Sequence, residues 1–296
     1  MSGLRIWLMA ARPRTLPAAV APVLVGTAAA VEATRDFRPG AFAAALVGSV
    51  FIQIGTNLAN DYSDAKRGAD SVDRLGPVRV TAAGLVTPRR VLMATWIAFA
   101  VAVAAGSYLA VVAGPVILAV GAASILAGVL YTGGPRPYGY AGLGELFVFL
   151  FFGLVAVNGS YFVQLERLDW LPFALSIPVG MLATAILVVN NLRDIDTDRR
   201  VGKRTLAVRL GRERTRGLYS ALVAGAYVSL LVGLPATGGP GWGTLALLSA
   251  VLAGRPLGAV RTRSDGPSLN AALAATGMLL AAFSVLLAGG LLVALA

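Results

Sequence analysis

The strongest constraint on this chain is a succession of apolar runs, each about as long as a bilayer core is thick. A core of about 30 Å needs about 20 consecutive apolar residues per helix. Runs of this kind cover residues 15–32, 40–60, 90–113, 115–131, 143–165, 170–191, 216–235, 240–254 and 270–295. The eighth run is short, and only Gly114-Pro115 separates the third from the fourth. Charged residues make up 13% of the chain, about half the share in a soluble globular protein. That leaves too little polar surface to cover a water-soluble globule. Segments of about ten residues with alternating polarity, the mark of a membrane β-barrel, are absent from the sequence. The expected fold is an all-α integral membrane protein. It has nine transmembrane helices bundled around a central cavity, in a single domain spanning 1–296.

The charges orient this bundle. Lys and Arg number 25 against 14 Asp and Glu, a net charge of +11. Such an excess would suit nucleic acid, but the basic residues sit in short loops between apolar runs, which is how membrane topology is written. Membrane lipid is therefore the expected surroundings, and no nucleic-acid partner is expected. With the N-terminus in the cytoplasm, 22 of the 25 basic residues fall on the cytoplasmic side; Arg35, Arg38 and Arg167 lie opposite. The expectation is a multi-pass protein of the plasma (inner) membrane with its C-terminus outside. The stretch Ile6 to Ala11, between Arg5 and Arg12-Pro13-Arg14, is too short for a signal-peptide core. It reads as an interfacial segment leading into the first span.

Polar residues that interrupt so apolar a chain carry the functional information. The chain has no His and no Cys, so thiolate, imidazole and Cys/His metal chemistry are excluded. Any metal site must be built from oxygen ligands, which favours hard cations such as Mg²⁺. Eight of the 14 acids lie in two loops on one side: Asp61, Asp64, Asp70 and Asp73, then Asp194, Asp196, Asp198 and Glu213. Gln53, Asn57, Asp61 and Asp64 have the spacing of one helical face, as do Asn190, Asn191, Asp194 and Asp198. Amides and carboxylates at the end of an apolar helix are costly unless they face a wet cavity or bind something. Two facing carboxylate clusters suit Mg²⁺, which takes one or two carboxylates and completes its shell with substrate phosphate. Arg79, Arg193 and Lys203 are at hand to clamp the remaining phosphate oxygens. A diphosphate at the mouth of an apolar bundle implies a lipid tail inside it, which describes a polyprenyl diphosphate.

The spacing Asn57-xxx-Asp61-xx-Asp64 with Asp194-xxx-Asp198 resembles the two Asp-rich motifs of the UbiA superfamily of intramembrane prenyltransferases. The resemblance spans nearly the whole chain. Where the wider family often reads NDxxDxxxD, the last acid position here is Gly68, and Asp70 follows two residues later. The stretch Asn60-Asp61-Tyr62-Ser63-Asp64 through Asp70 is similar to the 1,4-dihydroxy-2-naphthoate prenyltransferase branch. So are Arg12-Pro13-Arg14-Thr15-Leu16-Pro17, and Tyr131 to Tyr138 followed by Gly142-Leu143-Gly144-Glu145. The resemblance implies Mg²⁺-dependent transfer of a polyprenyl group to 1,4-dihydroxy-2-naphthoate with loss of CO₂, giving demethylmenaquinone. It implies that Asp61, Asp64, Asp194 and Asp198 are catalytic and hold the metal, with Asp70 as a further candidate. Asn57, Asn60, Arg79, Asn190, Arg193 and Lys203 would bind the diphosphate substrate. Arg14, Tyr131, Arg136, Tyr138 and Glu145 would bind the acceptor.

Two other readings stay open. Another UbiA-type enzyme would use 4-hydroxybenzoate, homogentisate or haem as acceptor; the Arg-Thr-Leu-Pro and Gly-Leu-Gly-Glu segments argue against it. A secondary transporter would also place polar residues within helices, but near the midplane on broken helices, whereas these acids lie at helix ends. The charge argument makes a direct prediction. Single cysteines at Arg89 and Arg212 should react with an impermeant maleimide only from the cytoplasmic side, and a cysteine at Asp36 only from the opposite side. Reversed labelling would overturn the orientation.

Overall fold

In lipid, each backbone N–H and C=O must be satisfied within its own segment, so the apolar runs become helices. The computed structural model describes residues 2–69, 75, 76 and 78–294, and among these all regular structure is helical. In chain order the elements are α1 (Gly3–Ala11), α2 (Pro17–Thr34), α3 (Pro39–Lys66), α4 (Pro88–Ala113), α5 (Val116–Leu130) and α6 (Gly144–Leu165). They continue with α7 (Trp170–Arg193), α8 (Ile195–Arg200), α9 (Leu206–Ala236), α10 (Gly241–Leu252), α11 (Gly254–Thr262) and α12 (Gly266–Val293). Proline stands in the first turn of α2, α3, α4 and α12, where its missing N–H costs nothing.

Among the described residues, seven helices are long and apolar enough to cross a membrane: α2, α3, α4, α6, α7, α9 and α12. The count is eight if the pair α10 and α11, bent by 42°, forms one span. The chain is thus a multi-pass membrane protein, and two of the nine expected runs do not form a straight helix long enough to cross. The 15 residues of α5 reach only about 22 Å at 1.5 Å per residue. The run at 240–254 is a 3₁₀ helix that bends into α11. Two boundaries also move. The third helix runs on past residue 60 to Lys66, so its carboxylates stand on helix rather than loop. The ninth begins at Leu206, ahead of the expected 216, and breaks at Gly211, whose φ is 77°.

The main core is built on α7, with α2, the second half of α6, α9, α10 and α12 packed around it. A smaller cluster ties α1 to α3 and α4 through Ala10, Leu58, Val80 and Val91. Helix α1 turns Ile6 and Met9 inward and leaves Leu4, Trp7 and Leu8 outward. A third cluster of Ala41, Leu109, Ala113 and Val163 lies at the end of the bundle away from the acids. Between α3, α4 and α5 on one side and α2, α6 and α7 on the other lies a long cavity.

The shape of α6 matters for that cavity. Its middle, Phe149–Val155, is a π-helical turn, a wide turn often found at functional sites. A Cβ on Gly153 would lie 2.7 Å from the Cα of Gly180, so α6 and α7 meet backbone to backbone there. Phe147, Phe151 and Phe152 line the cavity on the same helix. Asn158 donates to the Leu154 carbonyl of its own helix at 2.8 Å.

Candidate active site

The end of α3 carries the first polar cluster, and its members divide by direction. Gln53 and Asn57 line the cavity and also bond the segment between α1 and α2. The Asn57 amide donates to the Ala11 carbonyl at 3.0 Å and to Thr15 Oγ1 at 3.3 Å, and Gln53 donates to Thr15 Oγ1 at 3.2 Å. Asn60 is buried on the cavity wall and accepts from the Thr132 hydroxyl at 2.8 Å. Asp61 departs from the expected arrangement. Its two oxygens accept the backbone N–H groups of Val80 and Thr81, each at 3.0 Å, and it is not among the cavity-lining residues. A carboxylate there satisfies the donors of a tight turn in the loop before α4, where Val80 is fully buried.

Asp64 faces the cavity and is only 1% exposed. Its Oδ2 accepts from Arg79 and from Lys203, both at 3.1 Å, and its Oδ1 accepts from the Tyr140 hydroxyl at 2.6 Å. Lys203 comes from the second acidic loop and lies 4.6 Å from the centre of the Tyr140 ring. One carboxylate thus gathers cations from both loops. A buried charge needs such partners, because desolvation otherwise costs several kcal/mol.

The second cluster sits where α7 ends. Arg193, 1% exposed, grips Asp194 with two bonds, Nε to Oδ1 at 2.8 Å and Nη2 to Oδ2 at 2.6 Å. It also donates to Asn190 Oδ1 at 2.9 Å and to Asn270 Oδ1 at 2.7 Å. Arg193 thereby holds Asp194 directly. Asp194, Asp198, Asn190 and Asn191 all line the cavity. Asn191 donates to Glu145 Oε1 at 2.9 Å, and Glu145 Oε2 has no hydrogen-bond partner among the described residues. Glu145 is buried behind Asn191 rather than on the cavity wall. Asp196 points outward to Arg212 at 2.5 Å.

An aromatic wall rises beside the acids. Tyr131 meets Tyr138 edge-on at 5.5 Å, Tyr138 stacks on Phe147 at 4.0 Å, and Phe147 stacks on Phe151 at 6.1 Å. The Tyr138 hydroxyl donates to the Ala127 carbonyl at 2.9 Å. Burial raises the Tyr138 phenol above its ordinary range, which keeps it protonated for that bond. The face of this stack carries the negative side of the ring quadrupole, where a cation or an electron-poor ring is welcome.

The two arginines expected at the acceptor do not line the cavity. Arg14 and Arg136 are both exposed and lie outside it. Pro135 and Pro137 hold the Arg136 turn at the rim, and Arg14 sits in the short 3₁₀ turn Pro13–Thr15. Arg12 lines the cavity instead. It stands at the break between α1 and that turn with a left-handed φ of 54°, and Asn57 holds the neighbouring Ala11 carbonyl. Thr132, Tyr140, Asn191 and Arg12 therefore join the site. Tyr140 could be anticipated from its aromatic loop; nothing in the sequence separates Arg12 from Arg14. Asp70 lies outside the described residues.

The cavity has a volume of about 340 Å³. Along α3 it runs from Asp64 back to Ala45, roughly 28 Å at 1.5 Å per residue. Beyond the acids its walls are mostly apolar, with Ser49, Gln53, Thr56, Ser124 and Ser160 as uncharged polar members. Among the described residues no three acids come close enough together to form a metal cage. The ligand types at the mouth (carboxylates, amide oxygens and hydroxyls) nonetheless match the oxygen preference of Mg²⁺, which seldom takes an all-protein cage.

Comparison with known proteins gives a consistent result. The 1,4-dihydroxy-2-naphthoate octaprenyltransferase of Mycobacterium tuberculosis (strain ATCC 25618 / H37Rv) is 46% identical over 291 residues, 98% of each chain. The protein of that name from Escherichia coli (strain K12) is 41% identical, over 85% of this chain and 83% of that one. The backbone matches the apo structure of a UbiA homolog from Aeropyrum pernix K1 over the full length of both chains, with TM-score 0.67 at 16% identity. It matches a UbiA homolog from Archaeoglobus fulgidus bound to DMAPP and Mg²⁺ with TM-score 0.59 at 14% identity, over 95% of this chain and 99% of that one. The model of the UbiA prenyltransferase family matches residues 19–283, and with the fold and these relatives it makes the chain a member of that family.

Proposed function

We propose that the protein transfers a polyprenyl group from polyprenyl diphosphate to 1,4-dihydroxy-2-naphthoate in menaquinone biosynthesis. The observation that carries this reading is one long cavity, with acids and cations at one end and mostly apolar, uncharged walls for the rest of its length. Such a space suits an amphiphile with a diphosphate head and a hydrocarbon tail. Gly106, Gly121 and Gly159 line it from three different helices, and a Cβ at any of them would meet nothing within 4 Å. They leave open the volume a chain of isoprene units needs. The names of the relatives at 41–46% identity support the same donor class and acceptor.

In this reading Asp64 and the Asn60 amide on one segment, and Asp194 and Asp198 on the other, would ligate Mg²⁺ at the mouth together with diphosphate oxygens, and Asn190 would support them. The chemistry Mg²⁺ supplies there is neutralisation of the departing diphosphate. Arg79 and Lys203, both on Asp64, are placed to take diphosphate oxygens. Arg193 fixes the Asp194 carboxylate, and Tyr140 fixes that of Asp64. Asp61 shapes the turn that presents Arg79. The wall of Tyr131, Tyr138 and Phe147 flanks the allylic carbons as they gain positive charge. The C–O bond to diphosphate breaks, and a C–C bond forms at the ring carbon bearing the carboxylate. The bond to that carboxylate then breaks and CO₂ leaves, giving the demethylmenaquinone skeleton at the quinol level. Arg12 is the third basic residue on the cavity wall, and we assign it to the acceptor carboxylate. We read α5 and the bent α10–α11 pair as two further crossings, nine in all in one catalytic domain. The acidic mouth then lies on the cytoplasmic face and the C-terminus outside.

Membranes containing the protein, offered one prenyl diphosphate with 1,4-dihydroxy-2-naphthoate, 4-hydroxybenzoate and homogentisate, should yield by mass spectrometry only the prenylated, decarboxylated naphthalene. EDTA should abolish the product and Mg²⁺ restore it. A different prenylated ring would overturn the acceptor; cation-driven flux in liposomes without transfer would point to the transporter.

The two acids of the first motif should separate. Asp64→Asn should lower turnover by at least about a hundredfold and raise the Mg²⁺ concentration at half-maximal rate, as loss of a transition-state contact requires. Asp61→Asn leaves one backbone N–H of its turn without an acceptor, a cost of about 1–3 kcal/mol. It should therefore lower Tm while leaving Mg²⁺ half-saturation within about twofold. Equal shifts in Mg²⁺ requirement would return Asp61 to the metal.

Arg12→Ala should raise KM for the naphthoate by about tenfold or more, the loss expected from about 1.4 kcal/mol of ground-state binding. Arg14→Ala and Arg136→Ala should leave both KM values within about twofold. If Arg136→Ala alone raises the acceptor KM, the carboxylate binds at the rim instead.

A further inference from the structure

Asn270, in the first turns of α12, lies outside both acidic segments but touches each of them. Its Oδ1 accepts from Arg193 Nη1 at 2.7 Å, and its Nδ2 donates to the Leu75 carbonyl at 2.9 Å. Arg193 is the buried guanidinium that grips Asp194 through two bonds. Leu75 belongs to the loop that, four residues on, carries Arg79 to Asp64. One amide, using both its oxygen and its nitrogen, thus joins the acidic segment after α7 to the loop after α3.

A second observation places the same loop on the same helix. A Cβ added at Gly266, one turn before Asn270, would lie 3.0 Å from the Leu75 Cβ and 3.2 Å from its carbonyl oxygen. The start of α12 therefore seats Leu75 in two ways, by leaving room at Gly266 and by bonding its carbonyl at Asn270. Lys203 bridges the two acidic segments directly through Asp64. Asn270 bridges them from behind, without facing the cavity.

We propose that Asn270 is a positioning residue that sets the separation of the two acidic segments through Arg193 and Leu75, and so tunes how tightly they clamp a metal–diphosphate head group. This rests on the diphosphate reading of the site. An amide suits the task because it offers an acceptor and a donor on one short, planar group. Asp at the same place would keep the acceptor for Arg193 and lose the donor for Leu75.

That difference makes the test. Purified wild type, Asn270→Asp, Asn270→Leu and Gly266→Ala are compared in two assays. The first is the shift in Tm on adding Mg²⁺ with inorganic pyrophosphate. The second is the KM for a prenyl diphosphate and for the aromatic acceptor separately. Asn270→Asp and Asn270→Leu should both raise the donor KM by about tenfold. Both should also lose most of the Mg²⁺–pyrophosphate shift in Tm, with the acceptor KM within about twofold of wild type. Gly266→Ala, which crowds Leu75 but leaves the Asn270 side chain intact, should move the donor KM in the same direction. If Asn270→Asp and Gly266→Ala both behave as wild type, the link to Leu75 does no work and the proposal is overturned. If wild type itself shows no Mg²⁺–pyrophosphate shift, the diphosphate reading fails first, and this inference fails with it.

Discussion

Burying a carboxylate at the end of an apolar helix bundle is the physical problem around which this structure is arranged. Asp64, nearly inaccessible to water, is stable there because Arg79, Lys203 and Tyr140 supply charge and hydrogen bonds from three separate segments. Asp194 is held in the same manner by Arg193. Removing one member of such a pair leaves the other charged and dry, which costs more than the pair itself contributes. Both acidic segments, the Tyr-rich turn after α5 and the start of α12 are therefore fixed relative to one another by electrostatics. Apolar packing alone would let them slide.

The same constraint explains why the mouth of the cavity is charged and its remainder is not. Backbone groups satisfy themselves within helices, so the cavity walls need no charged side chains. Small residues on α4, α5 and α6 keep a long space open. Only the head group of a substrate requires charge, and the charged residues gather where α3 and α7 end. A family of enzymes acting on prenyl diphosphates within a membrane needs this division of one space into a charged end and an oily one.

Much of this was legible before any coordinates. The apolar runs gave the helices. The repeated Asn and Asp spacing marked the two segments that line the mouth. Other parts were not legible. Residues 61 and 64 differ by about 60° around a helix, close enough to read as one face. Whether each meets a cavity or a neighbouring turn depends on the loop that folds over them, and Asp61 meets the amides of Val80 and Thr81. The arginines at 12, 14 and 136 look alike in a string. Only the left-handed break at Arg12 aims one of them inward.

The sequence by itself determined that this is an all-helical membrane protein with two oxygen-rich polar segments and no imidazole or thiol chemistry. Those properties follow from hydropathy, composition and helical period, which are local. Tertiary structure decided which acids face the cavity, which arginine reaches it, and that Asn270 on the last helix joins two segments far apart in the chain. These choices depend on which surfaces meet. Contacts between residues as distant as Arg193, Leu75 and Asn270 have no local pattern to announce them.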